Sequence, residues 1–388
     1  MCDTLCRLRA DRTLFAKSSD RPVGERQLLE VHPARPPGTE LRATHITIPD
    51  TGAYALLGSR PEWCWGLEHG VNEHRVAIGN EKVWTIDDPH HAAPALIGID
   101  LVRLGLERAR SADEAIQVMT QLLDVHGQGG DCEADGEPYW SSFLVADPNR
   151  AWVLETSGST WAARAVDGAA AISNRITLGT DWDRASPDVS VGADFDTWRD
   201  PAVPTAIGDL RLALTRPAAA TTEEPAELAR VLRDHGAAPW GSIGDTTVVP
   251  PPPNVADDFT GISVCMHLRD YQTTAASMIA ELPELGGEVQ RAWVSLSNPC
   301  VGVFIPVFPP SLAPAELADP TSWDRFDRLA RRVEDDPDAL APIRAVTAPL
   351  EAELWQAADD VAGDPRAARA FVEGCWPPVD AALERLGV

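Results

Sequence analysis

At 388 residues the chain has material for one large domain with an appendage, or for two domains. Its net charge of −26 repels nucleic-acid phosphate and anionic lipid, which excludes both as expected partners. Hydrophobic content of 44% describes a globular chain, expected in the cytoplasm; no early run of eighteen apolar residues and no signal-peptide pattern is read at its start.

The first hundred residues read as short strands. Thr4–Arg9 and Thr13–Lys17 flank the turn Asp11-Arg12 as an opening hairpin, and Leu41–Ile48, Ala53–Gly58 and Val76–Gly79 follow. Two helices come next. Ala95–Arg108 carries Leu96, Ile99, Val102 and Leu106 at helical spacing, and the second begins at Ser111 with Glu114 three residues on as a capping pair. Ser141–Ala146, Ala151–Glu155, Trp161–Ala165 and Ala169–Ser173 are strands joined by short turns, an antiparallel meander rather than a βαβ series. Helices are expected over Pro201–Pro217 and Pro225–His235. Pro250–Pro253 leads into Asn254–Gly261, expected to be a mobile loop. Strands return at Ile262–His267, Ala275–Leu282, Ala292–Ser297 and Val301–Val307, and from about Ser322 the pattern is helical. The expected architecture is α+β: two antiparallel sheets face to face with helices outside, a four-layer αββα sandwich over residues 1–310 and a C-terminal helical appendage over 311–388.

Cysteines stand at 2, 6, 64, 132, 265, 300 and 375, odd in number and scattered, as reduced thiols rather than a disulfide framework. Lysine stands only at 17 and 82. Cys2 follows Met1 directly. If Met1 is removed, and the small residue at position two favours removal, one residue holds both a thiol and a free α-amine. That pair is a self-contained acyl-transfer catalyst, with thiolate as nucleophile and an amine base titrating near ~8. Such a residue needs a carboxylate to orient the amine and donors to receive the oxyanion. The opening hairpin brings Lys17, Asp20 and Arg21 beside the first strand; Asp20 would accept from the ammonium, and Lys17 or Arg21 would stabilise thiolate or hold a substrate carboxylate. Asn80 and Asn174 each follow a short apolar strand and are the candidate oxyanion donors. Glu81 or Glu68 would receive a free substrate amine.

Met1-Cys2-Asp3-Thr4, Lys17-Ser18-Ser19-Asp20-Arg21-Pro22, Trp65–His74, Gly79-Asn80-Glu81, Gly127–Gly130 and Trp152–Thr156, in this order, resemble the secernin-type dipeptidases. That family is similar to the wider amino-terminal-nucleophile hydrolases, which include choloylglycine hydrolases and penicillin V acylases. The resemblance runs from residue 1 to about 308. It implies the αββα sandwich, self-exposure of the cysteine and hydrolysis of peptide or amide bonds. It also implies Cys2 as nucleophile with its own amine as base, Asp20 as the carboxylate near the amine, Lys17 as the basic position three residues before it, and Asn80 and Asn174 addressing the oxyanion or substrate. Ser18 stands where such proteins usually have asparagine. For the late arginine of the acylase branch the candidates are Arg175 and Arg269.

No metal and no organic cofactor are expected. Asp87-Asp88-Pro89-His90-His91 reads as an exposed turn, and Cys265 and His267 are expected on opposite faces of a strand. The expected activity is a cysteine hydrolase of dipeptides. An acylase of N-acylated small molecules and a catalytically silent binding protein are the alternatives, with a small peptide or amide as partner and a homo-oligomer possible.

Overall fold

The computed structural model describes residues 1–236, 262–268, 271–286 and 289–388. Pro250–Pro253, the loop 254–261 and Arg269 lie outside the described residues. In chain order the strands are β1 (Cys2–Leu8), β2 (Arg12–Pro22), β3 (Gln27–His32), β4 (Glu40–Arg42), β5 (Thr47–Pro49), β6 (Leu56–Pro61), β7 (His69–Asn72) and β8 (Ala77–Val83). Helices α1 (Gly98–Arg108) and α2 (Ala112–His126) precede β9 (Trp140–Ala146), β10 (Ala151–Ser157), β11 (Thr160–Ala165), β12 (Ala169–Ile172) and β13 (Arg184–Ala185). Then come α3 (Ala206–Thr221), α4 (Pro225–Leu232), β14 (His267–Leu268), β15 (Gln272–Pro283), β16 (Ala292–Leu296) and β17 (Ile305–Val307). The tail is α5 (Pro320–Asp335), α6 (Leu340–Val361), α7 (Pro365–Gly374) and α8 (Trp376–Arg385).

One antiparallel sheet has the order β12-β1-β2-β15-β16-β17, with β14 on β15; the other runs β13-β11-β10-β9-β8-β7-β6-β3. The side-chain period of two on each strand sorts residues into layers. Cys6, Phe15, Met278 and Val294 from the first sheet meet Leu29, Leu57, Val71, Leu144 and Val153 from the second in one inter-sheet core. The opposite face of the first sheet, with Leu5, Leu14, Ala16 and Ile279, packs on Leu212 of α3 and Leu228 and Leu232 of α4. The outer face of the second sheet, with Ile78, Phe143 and Leu154, packs on Leu101 and Leu104 of α1 and Ile116 and Met119 of α2. Each fully buried leucine contributes ~2 kcal/mol relative to exposure, so the alternation specifies the register of both sheets. This is the four-layer αββα sandwich expected from the sequence.

The tail adds Trp323, Phe326, Leu329 and Val333 of α5 to the inter-sheet core, and the Trp323 indole donates to the Ala275 carbonyl (2.8 Å). Among the described residues no helix is long and apolar enough to cross a membrane. All seven cysteines are free and buried.

Some expectations about local structure change. Leu41–Ile48 is a small hairpin, β4 and β5, because the Ala43 N–H closes a turn on the Ile46 carbonyl (2.9 Å). Strands β3 and β7 were not expected: Glu30 and His32, and His69 and Asn72, interrupt their apolar patterns. Val301–Val307 pairs only over Ile305–Val307.

Candidate active site at the open end of the first hairpin

Register decides what surrounds Cys2. In the β1–β2 hairpin Cys2 pairs with Ser19 and Thr4 with Lys17. Thr4, two residues on from Cys2, points between the sheets and donates to Glu81 Oε1 of the second sheet; Asp3, on the other face, meets Arg211 of α3 (2.9 Å). Lys17 is fully buried, its Nζ donating to the Ser18 carbonyl (3.1 Å) and lying 3.6 Å from Glu81 Oε1 and 3.9 Å from Glu68 Oε2. Burial pulls the Lys17 pKa down, but the Cys2 thiolate, Glu81 and Glu68 outweigh it and hold the ammonium above its ordinary range. Gly79 makes room for this lysine: a Cβ there would lie 2.7 Å from Lys17 Cδ and 2.9 Å from Thr4 Oγ1.

Asp20 sits where β2 meets a β-bulge in β15, between Thr274 and Ala276. The bulge aims the Thr274 hydroxyl at Asp20 Oδ1 (2.7 Å), and Arg211 Nη1 lies 3.7 Å from Asp20 Oδ2. Burial raises Asp20 to about 6 against the pull of the Met1 ammonium, Arg211 and Thr274.

Met1 continues β1 inward. The Asp20 N–H donates to its carbonyl (2.8 Å), while its ammonium donates to the Asp20 carbonyl (3.3 Å) and to Gln272 Oε1. Gln272 is held in turn by Glu133 (3.1 Å). The Met1 side chain is buried among Val203, Ile207, Ile262, Met266 and Leu268, with Trp84 packed alongside. Val203 and Trp84 also line a cleft of about 620 Å³ that runs past Tyr139, Glu137 and His90. With Met1 in place, burial pushes the Cys2 thiol up to about 11, against the pull of Lys17 and the Met1 ammonium.

The two asparagines do different work from that expected. Asn174 Oδ1 accepts from the Cys2 N–H (2.7 Å) and from Arg211, and its Nδ2 donates to the Lys82 carbonyl (2.8 Å). It therefore holds the Cys2 backbone nitrogen, and both ends of its amide are engaged by protein groups. Asn80 lies between Gly79 and Glu81, which face Lys17 and Thr4, so it projects from the other side of β8. Its Nδ2 donates to Glu68 Oε2 (2.9 Å) and to the Glu68 carbonyl (3.1 Å), reaching the site only through Glu68.

Arg21 is likewise internal. It pairs with Glu25 (2.6 Å) and Glu68 (2.8 Å) and donates to Tyr139 Oη (3.1 Å) and the Cys132 carbonyl (2.8 Å), so its donors are engaged by protein groups. Glu81 is fully buried behind Lys17; burial raises it to about 8, opposed chiefly by Lys17. Arg175 turns toward α3 and pairs with Asp209 (2.6 Å), away from Cys2. The arginine at the site is Arg211, which donates to the Cys2 carbonyl (3.1 Å), to Asp3 and to Asn174. Its sequence signal was slight: one arginine between Leu210 and Leu212 on a helix whose neighbours are apolar.

The Asp88–His91 stretch is an exposed 3₁₀ turn capped by Asp88. Cys265 and His267 are two residues apart and share a face, with Sγ 3.4 Å from Nε2, contrary to the expectation of opposite faces.

Residues 43–189 match the model of a known family, described as peptidase family C69. Among solved structures the chain is similar to penicillin V acylase from Agrobacterium tumefaciens, at 13% identity and TM-score 0.45, over 79% of this chain and 86% of that one. It is similar also to the C2A mutant of conjugated bile acid hydrolase from Clostridium perfringens, at 11% identity and TM-score 0.41, over 76% and 89%. A third is the Caenorhabditis elegans ortholog of N-acylethanolamine-hydrolyzing acid amidase, at 10% identity and TM-score 0.40, over 74% and 94%. The matched stretch contains Glu68, Asn80, Glu81 and Asn174. Cys2, Lys17 and Asp20 precede it, and Arg211 follows it.

Proposed function

We propose that this protein is a cysteine hydrolase that cleaves a dipeptide, with Cys2 as an amino-terminal nucleophile once Met1 is removed. The observation that carries the reading is the placement of Met1. Its ammonium rests on Gln272, with Glu133 behind, its side chain fills an apolar recess, and its carbonyl carbon adjoins Cys2. Vacated, that space fits an apolar aminoacyl group with a free amine, which is the first residue of a dipeptide.

In this reading the Cys2 amine takes the thiol proton and Lys17 stabilises the thiolate. Sulfur attacks the scissile carbonyl; the tetrahedral intermediate collapses to a thioester as the amine returns the proton to the leaving nitrogen. Water, deprotonated by the same amine, then hydrolyses the thioester and regenerates the thiol. Asn174 and Arg211 hold the amine in place. Seven free buried thiols support a reducing compartment, and we place the reaction in the cytoplasm with a small peptide as its partner.

One observation favours a second reading: Arg211, late in the chain, donates to the Cys2 carbonyl (3.1 Å), a place that suits the late arginine of the acylase branch and so an N-acyl amide as substrate. The deciding experiment takes the intact mass of the purified chain and then assays it on apolar dipeptides and on their N-acetyl counterparts. Loss of Met1 with hydrolysis confined to free-amine dipeptides is expected. Equal or faster cleavage of the acetylated series would replace the dipeptidase reading with the acylase one. Turnover retained by Cys2→Ala would overturn both.

A further inference from the structure

Four buried or half-buried donors converge away from Cys2. His235 follows α4, Cys265 and His267 lead into β15, and Cys300 lies in the loop after β16. One donor atom from each lies within 4.8 Å of all the others. Cys265 Sγ is 3.4 Å and Cys300 Sγ 3.3 Å from His267 Nε2, and Asn298 Nδ2 is 3.2 Å from the same nitrogen. Three donor groups thus crowd one imidazole lone pair, which has room for one hydrogen bond.

A tetrahedral zinc ion resolves the crowding. With Zn–S near 2.3 Å and Zn–N near 2.0 Å, tetrahedral geometry places the donor atoms about 3.3–3.8 Å apart, which matches the two sulfur–nitrogen distances here. A second, independent feature points the same way. Glu334 of α5 lies 3.1 Å from His267 Nδ1, which fixes the proton on Nδ1 and turns Nε2 toward the cluster. A carboxylate behind a ligating histidine is the usual outer partner of a metal site.

We propose that His235, Cys265, His267 and Cys300 bind one zinc ion as a structural Cys₂His₂ site. With four protein ligands the ion has no open position for substrate. Binding would release both thiol protons, and the ion would tie together the end of α4, the start of β14 and the loop after β16. The clamp reaches the nucleophile's neighbourhood in one step. The Met266 N–H, between two ligands, donates to Thr274 Oγ1 (2.8 Å), and that hydroxyl donates to Asp20 (2.7 Å). The proposal does not rest on the hydrolase reading.

The test is elemental analysis of chain purified without chelator, together with cobalt titration of chelator-stripped protein. About one zinc per chain is expected, with tetrahedral d–d and thiolate-to-cobalt charge-transfer bands on reconstitution. Cys300→Ser should lose the metal, while Cys375→Ser, a buried thiol outside the cluster, should keep it. Should Cys300→Ser fail to fold, His235→Ala, at the half-buried ligand, should still alter the cobalt spectrum. Folded wild-type chain with far less than one zinc and no thiolate bands would overturn the proposal. So would full zinc retained in Cys300→Ser, or a Cys265–Cys300 disulfide in the intact mass.

Discussion

Cys2 and Cys6 lie four residues apart on β1 and on the same face of it, yet their surroundings differ completely. At the open end of the hairpin Cys2 has Lys17 beside it and the buried carboxylates Glu68 and Glu81 behind. Toward the closed end Cys6 pairs with Phe15 inside the apolar core, and burial pushes its thiol to about 12 against a hydrogen bond with the Ala170 backbone. One residue type on one strand becomes a candidate nucleophile or a core filler according to the side chains that flank it across the hairpin. What a sheet transmits to chemistry is register.

The comparison breaks most sharply at the thiols themselves. Cys2→Ala should lower hydrolysis by ~10³-fold or more with an unchanged circular dichroism spectrum. Next is the cation. Lys17→Met should lower kcat/KM by ~10²-fold and shift the pH profile of Cys2 alkylation upward, because a buried thiolate would lose its counter-charge. In a denaturant melt above pH 8, where Glu81 is ionised, it should also destabilise the fold by about 3 kcal/mol by stranding that carboxylate, a loss that the Lys17→Met/Glu81→Gln double variant recovers without recovering activity.

Arg211→Lys, which trades a planar fork for a point charge, should cost ~10-fold in kcat, read on a saturating dipeptide. Glu81→Gln should act mainly on pH dependence. Folding raises Glu81 to about 8, so between its unfolded value of about 4.3 and about 8 the folded chain holds a proton that the unfolded chain releases. Stability therefore falls as pH rises through that window. Thermal melts from pH 5 to 8 should show a shallower decline in Glu81→Gln than in the parent, and equal slopes would remove Glu81 from the buried charge web. The smallest effect belongs to Cys6→Ala, expected to retain full activity and lose about 1 kcal/mol of stability in the same denaturant melt.

Much of this was legible in the sequence. Period-two alternation in the opening hairpin and the meander, and helical spacing over Leu96–Leu106, gave the layers, because burial on one face leaves a local imprint. The order of short motifs carried the family resemblance and singled out Cys2, Lys17, Asp20 and Asn174, which the fold brings near one another. What stayed hidden depends on contacts between distant segments. Arg211 looks like any helix-surface arginine until α3 is laid on β1. Asn80 and Arg21 carry polar side chains suited to a substrate, but Glu68 engages both, which no local pattern could signal. The cluster of His235, Cys265, His267 and Cys300 comes from three separated segments, so its spacing resembles no compact motif.

The placement of β15 has a consequence for how the molecule comes into being. This strand, buried along its whole length, lies beside β2 at the centre of the first sheet, yet it begins some 250 positions later in the chain. It brings Thr274 to Asp20 and Gln272 to the recess now filled by Met1. A nascent chain that has not yet emitted residue 272 holds the cysteine without its setting. Chemical competence therefore arrives late, with the closure of long-range pairings that fold slowly. Amino-terminal fragments released by early termination or proteolysis should be inert, however intact their first hairpin.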